Sequence, residues 1–161
     1  MSTIAIRELA CADWPDVARI YAAGLGTGLA SFETRVPTWA EWDAGHRPAP
    51  RLVAEAGPRV AGWTAVSPVS PRRCYMGVVE HSVYVDEADR GRGIGRALLL
   101  RLLADAPGQG IWTLQTSIIA ENAASLRLHQ SVGFRIVGRR ERIAQRDGRW
   151  HDTILLEYRL A

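Results

Sequence analysis

Cysteine is scarce in this chain. Only Cys11 and Cys74 occur among 161 residues, and neither has metal-ligand spacing around it. A disulfide-stapled scaffold and a cysteine-built zinc site are therefore excluded as organising principles. No apolar run approaches the roughly 20 residues that cross a bilayer. The N-terminus lacks a basic region followed by an apolar core. Repeats, low-complexity tracts and long linkers are missing too, so residues 1–161 are expected to form one domain. Charge of one sign is not gathered in a long run. The formal net charge is +3, and the arginines cluster locally at 90–96 and 135–149, which suits a small anionic ligand better than a nucleic-acid track. Hydrophobic residues make up 47% and charged residues 23%, the mix of a soluble globular protein. The expectation is a soluble, cytoplasmic protein with no metal, no membrane and no nucleic-acid partner.

What is present centres on Glu80 to Leu103. Val83, Tyr84 and Val85 are β-branched or aromatic, so the segment ending at Val85 reads as a strand. Asp86 to Asp89 is polar and turn-like. From Gly93 onward Ala and Leu dominate, both strong helix formers, until Pro107-Gly108 stops the run. Gly91, Gly93 and Gly95 alternate where the loop enters that helix, with Arg90, Arg92 and Arg96 around them. The first N–H groups of a helix lack intrahelical partners and the dipole is positive there. Glycines let an anion come close to those donors. The stretch is expected to be a phosphate or pyrophosphate cradle. The plainer alternative is a helix packed tightly on a sheet, with glycines for clearance. The spacing is neither Gly-x-Gly-x-x-Gly nor a loop ending in Gly-Lys-Ser/Thr.

The remaining chain supplies strands and helices in a legible order. Thr3 to Arg7 alternates weakly as a first strand. Asp13 is expected to cap a helix with Pro15 in its first turn, carrying Val17, Ile20 and Tyr21 on one face and ending near Gly24. Gly24 to Arg35 reads as a loop or as loosely helical, and Thr38 as the cap of a short helix with Trp39 and Trp42. Strands are expected at Arg51–Glu55, Val60–Val66, Cys74–Val85, Ile111–Ile119, from Phe134, and at Trp150–Tyr158. A helix is expected over Asn122–Val132, and a hairpin tip at Arg146 to Arg149. Strand, two helices, three strands, helix, strand, helix and two strands make an α+β fold with a mixed, mostly antiparallel sheet.

Asn122, Ser125 and His129 fall at i, i+3 and i+7, on one helix stripe. A capping asparagine and a histidine satisfied in the core would account for two of them. Three polar groups where a purely structural helix places apolar ones also fit a site.

The Arg90-x-x-Gly93-x-Gly95 loop resembles the acetyl-coenzyme A (acetyl-CoA) loop of the Gcn5-related N-acetyltransferase (GNAT) family. Asn-Ala-Ala-Ser-Leu-Arg-Leu-His-Gln-Ser-Val-Gly-Phe at 122–134 resembles that family's second coenzyme motif. His129, where many relatives carry tyrosine, is similar to the phosphinothricin and methionine sulfoximine acetyltransferase branch. So are Val-Glu-His-Ser-Val-Tyr-Val at 79–85, Ser-Phe-Glu-Thr-Arg-Val-Pro-Thr at 31–38 and Gly-Arg-Trp-His-Asp at 148–152. The resemblance spans nearly the whole chain and implies the acyl-CoA N-acyltransferase fold, with helices flanking the mixed sheet. It implies acetyl-CoA as cosubstrate, with the backbone of Val83, Tyr84 and Val85 along the pantetheine arm. Arg90, Gly91, Arg92, Gly93, Ile94, Gly95 and Arg96 would hold the pyrophosphate, and Asn122 and Ser125 would contact the cofactor farther along. Glu80 matches a carboxylate near the substrate amine, and His129 a second acid/base candidate. Phe32, Glu33, Arg72, Tyr75 and Glu80 would line the acceptor pocket, with Arg73 the alternative to Arg72. The stretch from Ser67 to Met76 is not a close match, and Met76 stands where a basic residue often follows the tyrosine. The branch also implies a homodimer, with the aromatic segment 31–42 as a contact.

The implied chemistry asks for such groups. An amine attacks a thioester only when neutral, so a carboxylate near the ammonium, directly or through water, takes its proton. Glu80 alternates with Ser82 and Tyr84 on one strand face and can point into a cleft. A backbone N–H near Val83 could bind the thioester oxygen as it gains charge, and His129 could protonate the departing thiolate. The expected reaction is direct acetyl transfer to the α-amino group of a small amino-acid-like acceptor: methionine sulfoximine, methionine sulfone or phosphinothricin. The rivals are another amine, such as a peptide N-terminus or an aminoglycoside, and a non-catalytic acyl-CoA sensor.

Overall fold

The computed structural model describes residues 3–160. Its elements are β1 (Ile4–Glu8), α1 (Trp14–Gly26), α2 (Trp39–Gly45), β2 (Arg51–Ala56), β3 (Arg59–Pro68) and β4 (Val78–Val85). They continue as α3 (Ile94–Asp105), β5 (Thr113–Ile119), α4 (Ala123–Ser131), β6 (Arg135–Arg146) and β7 (Arg149–Arg159). The order is the one read from the sequence, in an α+β fold.

Local chemistry sets most boundaries. Thr38 caps α2 by accepting from the Glu41 amide at 3.2 Å, while the Glu41 carboxylate accepts from the Thr38 N–H at 2.8 Å, a reciprocal capping box. Asp147 and Gly148, both at positive φ, turn β6 into β7, because a two-residue hairpin of this hand needs left-handed residues. Three expectations change. Asp13 does not cap α1: it takes both prongs of Arg7 at 2.8 Å and the Ala10 amide at 2.8 Å. Two parallel bonds from a full positive charge outcompete a cap made to backbone amides, which carry only partial charge. α1 runs past Gly24 to Gly26. The strand expected over Cys74–Val85 starts only at Val78, after a 3-10 turn at Arg73–Tyr75. There the Trp112 and Thr113 amides both donate to the Gly77 carbonyl, and the Trp112 ring fills the space where a Cβ at 77 would stand.

The strands form one sheet in the order β1-β2-β3-β4-β5-β7-β6. Every neighbouring pair is antiparallel except β4 and β5, whose connection crosses over through α3, as parallel strands require. Leu98, Leu99 and Leu102 of α3 are fully buried against Leu52, Val66, Val79 and Leu114 on one face. On the other, Val17 and Ile20 of α1 and Trp42 of α2 pack on Val53, Trp63 and Ala65. With both faces covered, β3 is buried continuously from Val60 to Val66.

One irregularity creates the site. β4 and β5 pair only over Val78–Glu80 and Thr113–Gln115. Beyond that, β4 continues along β3 to Val85 and β5 along β7 to Ile119. The two halves of the sheet separate there, and the edge of β4 facing β5 has no strand partner from His81 on.

Candidate active site

The loop after β4 is braced by charge. Asp86 accepts from the Ala88 amide at 3.1 Å and pairs with Arg19 at 2.7 Å and Arg59 at 3.3 Å. Burial pushes the Asp86 carboxyl up, but Arg19, the Ala88 amide and Arg59 outweigh it and leave it below its ordinary value. The buried Asp89 pairs with Arg59 and Arg92, each at 2.6 Å. This network holds Gly91 and Gly93 at positive φ, with no atom within 4 Å of where a Cβ would lie on either. Gly93, in the left-handed region, starts α3 with no side-chain cap. The first amides of α3 therefore have no side chain competing for them. Open space, uncapped amides and the exposed Arg90 and Arg96 fit a phosphorylated anion.

A groove of about 500 Å³ runs from this point along the free edge of β4. Val83, Tyr84, Val85, Arg90, Gly91, Gly93, Ile94, Gly95, Arg96, Asn122 and Ser125 all line it. Arg92, expected with them, is turned onto Asp89 instead. Asn122 has two local tasks: its Oδ1 accepts from the Ser125 amide at 3.2 Å, and its Nδ2 donates to the Leu29 carbonyl at 3.1 Å.

A second cavity, of about 250 Å³, fills the opening between β4 and β5. Leu29, Ala30, Val83, Tyr84, Asn122 and Ser125 are common to cavity and groove, so one wall serves both. Glu80, Phe32 and His129 line the cavity, with Thr116 and Thr153 as further buried polar residues. Thr153 Oγ1 makes no hydrogen bond. Glu33 lies on the far side of the 27–37 loop, lining neighbouring hollows. Arg72 and Tyr75 do not line the cavity; they occupy the exposed turn before β4, the Arg72 guanidinium 5.6 Å from the centre of the Tyr75 ring. Because β4 begins at Val78, Tyr75 does not continue the Glu80 face.

Sequence reasoning passed over His81. It lies on the α3 side of β4 with Val79, Val83 and Val85, and its Nε2 is 2.9 Å from His129 Nε2 in the interior. His129 Nδ1 is 2.8 Å from the Ser125 carbonyl, which can only accept, so Nδ1 carries the proton. In a neutral pair His81 Nε2–H then donates to His129 Nε2, leaving His81 Nδ1 bare, beside the Gln115 backbone and without a hydrogen bond of ordinary geometry. Burial lowers both pKa values. His81 falls to about 3, with His129 adding to the effect, and the Ser125 carbonyl only partly offsets the drop at His129. Both rings are therefore neutral at neutral pH. The available signal was a lone histidine at an apolar position, next to Glu80.

Among the described residues, no group of three or more His, Cys, Asp or Glu side chains could hold a metal ion, and no helix is long and apolar enough to cross a membrane. The groove ends at an uncapped helix and opens into a polar cavity where the parallel strands part. Residues 5–134 match the model of the acetyltransferase (GNAT) family. The chain belongs to that family, a class of acetyl-CoA-dependent N-acetyltransferases. It is 37% identical over 161 residues to an L-methionine sulfoximine/L-methionine sulfone acetyltransferase of Pseudomonas paraeruginosa, covering 96% of this chain and 94% of that one. A phosphinothricin N-acetyltransferase of Alcaligenes faecalis is 36% identical over 155 residues, 90% of this chain and 77% of the relative. Among solved structures, a GNAT superfamily phosphinothricin acetyltransferase from Sinorhizobium meliloti in complex with AcCoA superposes with a TM-score of 0.87. It is 29% identical, and the match covers 98% of this chain and 89% of that one.

Proposed function

We propose that this protein transfers the acetyl group of acetyl-CoA to the α-amino group of a small amino-acid-like acceptor, with methionine sulfoximine, methionine sulfone and phosphinothricin the leading candidates. The observation that carries the proposal is the shared wall. A ligand in the groove and one in the cavity would meet at Val83, Tyr84 and Ser125, with Glu80 on the cavity side. The names of the two relatives support the acceptor class.

Acetyl-CoA supplies the thioester: a base takes the first ammonium proton, the C–N bond forms as the C–S bond breaks, and the second proton, lost from nitrogen after attack, ends on the departing thiolate. Glu80 is assigned as the base that takes the ammonium proton, directly or through water; being exposed, it can pass it to solvent. The unpaired edge of β4 near Val83 offers a backbone donor for the carbonyl oxygen. Both ring nitrogens of His129 already have partners, so its assigned part is to fix the α4 wall, while the thiolate leaves as a good leaving group. Arg72 is assigned to the acceptor carboxylate, which requires its side chain to leave the Tyr75 ring; Arg73, beside it, is the alternative.

A homodimer and a cytosolic place of action, where acetyl-CoA is supplied, belong to the same proposal. Trp42 of the 31–42 segment is committed to this chain's own core. Half-buried Phe32 and Trp39 keep that segment as the assigned dimer contact, and edge strand β6, which exposes Ile136, Val137 and Ile143, is the alternative.

The test is an acetyl-transfer screen over amino acids, their sulfoximine, sulfone and phosphinic analogues, N-terminal peptides and aminoglycosides. The chain contains no lysine, so the enzyme brings no ε-amine of its own to the background. Highest kcat/KM on the amino-acid analogues is expected. Preference for peptides or aminoglycosides would move the acceptor class, and binding of acetyl-CoA without any transfer would favour a sensor.

A further inference from the structure

The wall shared by groove and cavity is partly a loop with little structure of its own. Residues 27–37 form neither helix nor strand, yet Leu29 and Ala30 line both spaces and Ser31 and Phe32 line the cavity. Leu29 is 40% exposed, so apolar burial anchors it weakly. Its carbonyls are instead held from outside. Arg146 Nη2 donates to the Gly28 carbonyl at 2.7 Å and Nη1 to the Ser31 carbonyl at 2.9 Å. The same guanidinium lies 5.7 Å from the centre of the Phe32 ring, and His151 meets that ring at 5.5 Å.

Arg146 reaches the loop because of how the β6–β7 hairpin is built. The Asp147-Gly148 turn places Arg146 in the last strand pair, opposite Arg149. β7 pairs with β5 only from Thr153 on, so the tip from Arg146 to Asp152 projects beyond the sheet. The register shifts between Arg140 and Ala144, and such bulges bend and twist a hairpin. Arg146 itself lines neither groove nor cavity.

We propose that Arg146 is a positioning residue for the acceptor, a fork from the hairpin tip that clamps the Gly28–Phe32 wall of the cavity. This rests on the reading of that cavity as the acceptor site. A planar fork suits two carbonyls at once, where the single ammonium of a lysine does not. Phe32 and Ser31 are placed by the clamp, whereas the groove's phosphate end is braced separately through Asp86 and Asp89. Losing the clamp should therefore weaken acceptor binding and spare the cofactor.

The experiment compares the full-length wild type with Arg146→Ala and Arg146→Lys. Amide hydrogen exchange over 28–32 should rise in Arg146→Ala while that of 98–103 in α3 stays at the wild-type level. With the amino-acid acceptor that the wild type turns over best, acceptor KM should rise about tenfold, the scale of losing charge-assisted bonds. The kcat and the acetyl-CoA affinity should each stay within about twofold, the split that marks lost acceptor binding. Arg146→Lys should recover little. Unchanged exchange over 28–32 removes the clamp. Raised exchange with an unchanged acceptor KM removes its part in positioning, and raised exchange in α3 with all constants falling together reduces it to general stability. A wild type that acetylates no amino-acid-like acceptor sinks the proposed function instead, and the exchange comparison then decides the clamp by itself.

Discussion

From Val83 to Arg96 the groove is made largely by one run of chain, a strand edge, a braced turn and the mouth of a helix. The parts of it suited to an anion are the first amides of α3, which any sequence with glycines in the right places would present, with Arg90 and Arg96 beside them. The cavity next to it draws side chains from α1, the 27–37 loop, β4, β5, α4 and β7, from Tyr21 to Thr153. On the proposed reading, the groove would meet a constant partner, acetyl-CoA, mainly with backbone, which tolerates side-chain drift. The cavity would meet a variable acceptor with side chains, each held by a different element. Within one family the first is expected to keep its form while the second is retuned.

The largest expected effect falls in the cavity. If Glu80 takes the ammonium proton, Glu80→Gln should lower kcat about 10²–10⁴-fold near neutral pH, the usual span of general-base assistance. The deficit should shrink as pH rises, because more acceptor then arrives neutral. A pH–rate profile at saturating acetyl-CoA reads this, and wild-type rates throughout would take Glu80 out of the mechanism.

The groove answers to a backbone change. Gly93→Asp puts a negative side chain into open space at the α3 mouth and should weaken acetyl-CoA binding on the order of tenfold to a hundredfold. Calorimetry on the folded variant measures it. Unchanged affinity would break the contrast, since the groove would then not depend on its backbone.

A third measurement separates the two regions by pH. A histidine whose folded pKa is depressed binds more protons unfolded than folded. Its stabilising contribution is complete above about 6.5 and is lost as pH falls toward the folded value, which for His81 is about 3. Wild type should lose about 1.4 kcal/mol of stability per pH unit below about 6 for each such histidine. His81→Phe should flatten the slope in denaturant unfolding between pH 6.5 and 5. An unaltered slope would mean that His81 is protonated in the folded protein.

The smallest effect is expected at Arg72, exposed and outside the cavity. Arg72→Ala should raise KM for a free amino acid about threefold to tenfold, in line with one exposed charge pair, and leave the corresponding amide unaffected. Equal changes for both substrates would reassign the carboxylate to Arg73 or elsewhere.

The sequence alone determined the element order, the capping of α2 by Thr38, the Asp147-Gly148 turn and the glycine loop that opens α3. All of these rest on interactions within a few residues, where spacing and residue type carry the information. It also put Glu80, Phe32 and His129 forward, and tertiary structure places all three around one cavity. What the chain could not display is where strands part and which distant groups meet. Asp13 reads as a helix cap until Arg7 on β1 claims it. Tyr75 reads as part of β4 until Trp112, arriving after α3, turns the chain at Gly77. His81 reads as a neighbour of Glu80 until α4 brings His129 to 2.9 Å from it, and Arg146 as a turn residue until it closes on Gly28 and Ser31. Each of these contacts joins elements that only the folded sheet brings together. Periodicity says which side of a strand or helix a residue occupies, but only three-dimensional packing decides what stands opposite it.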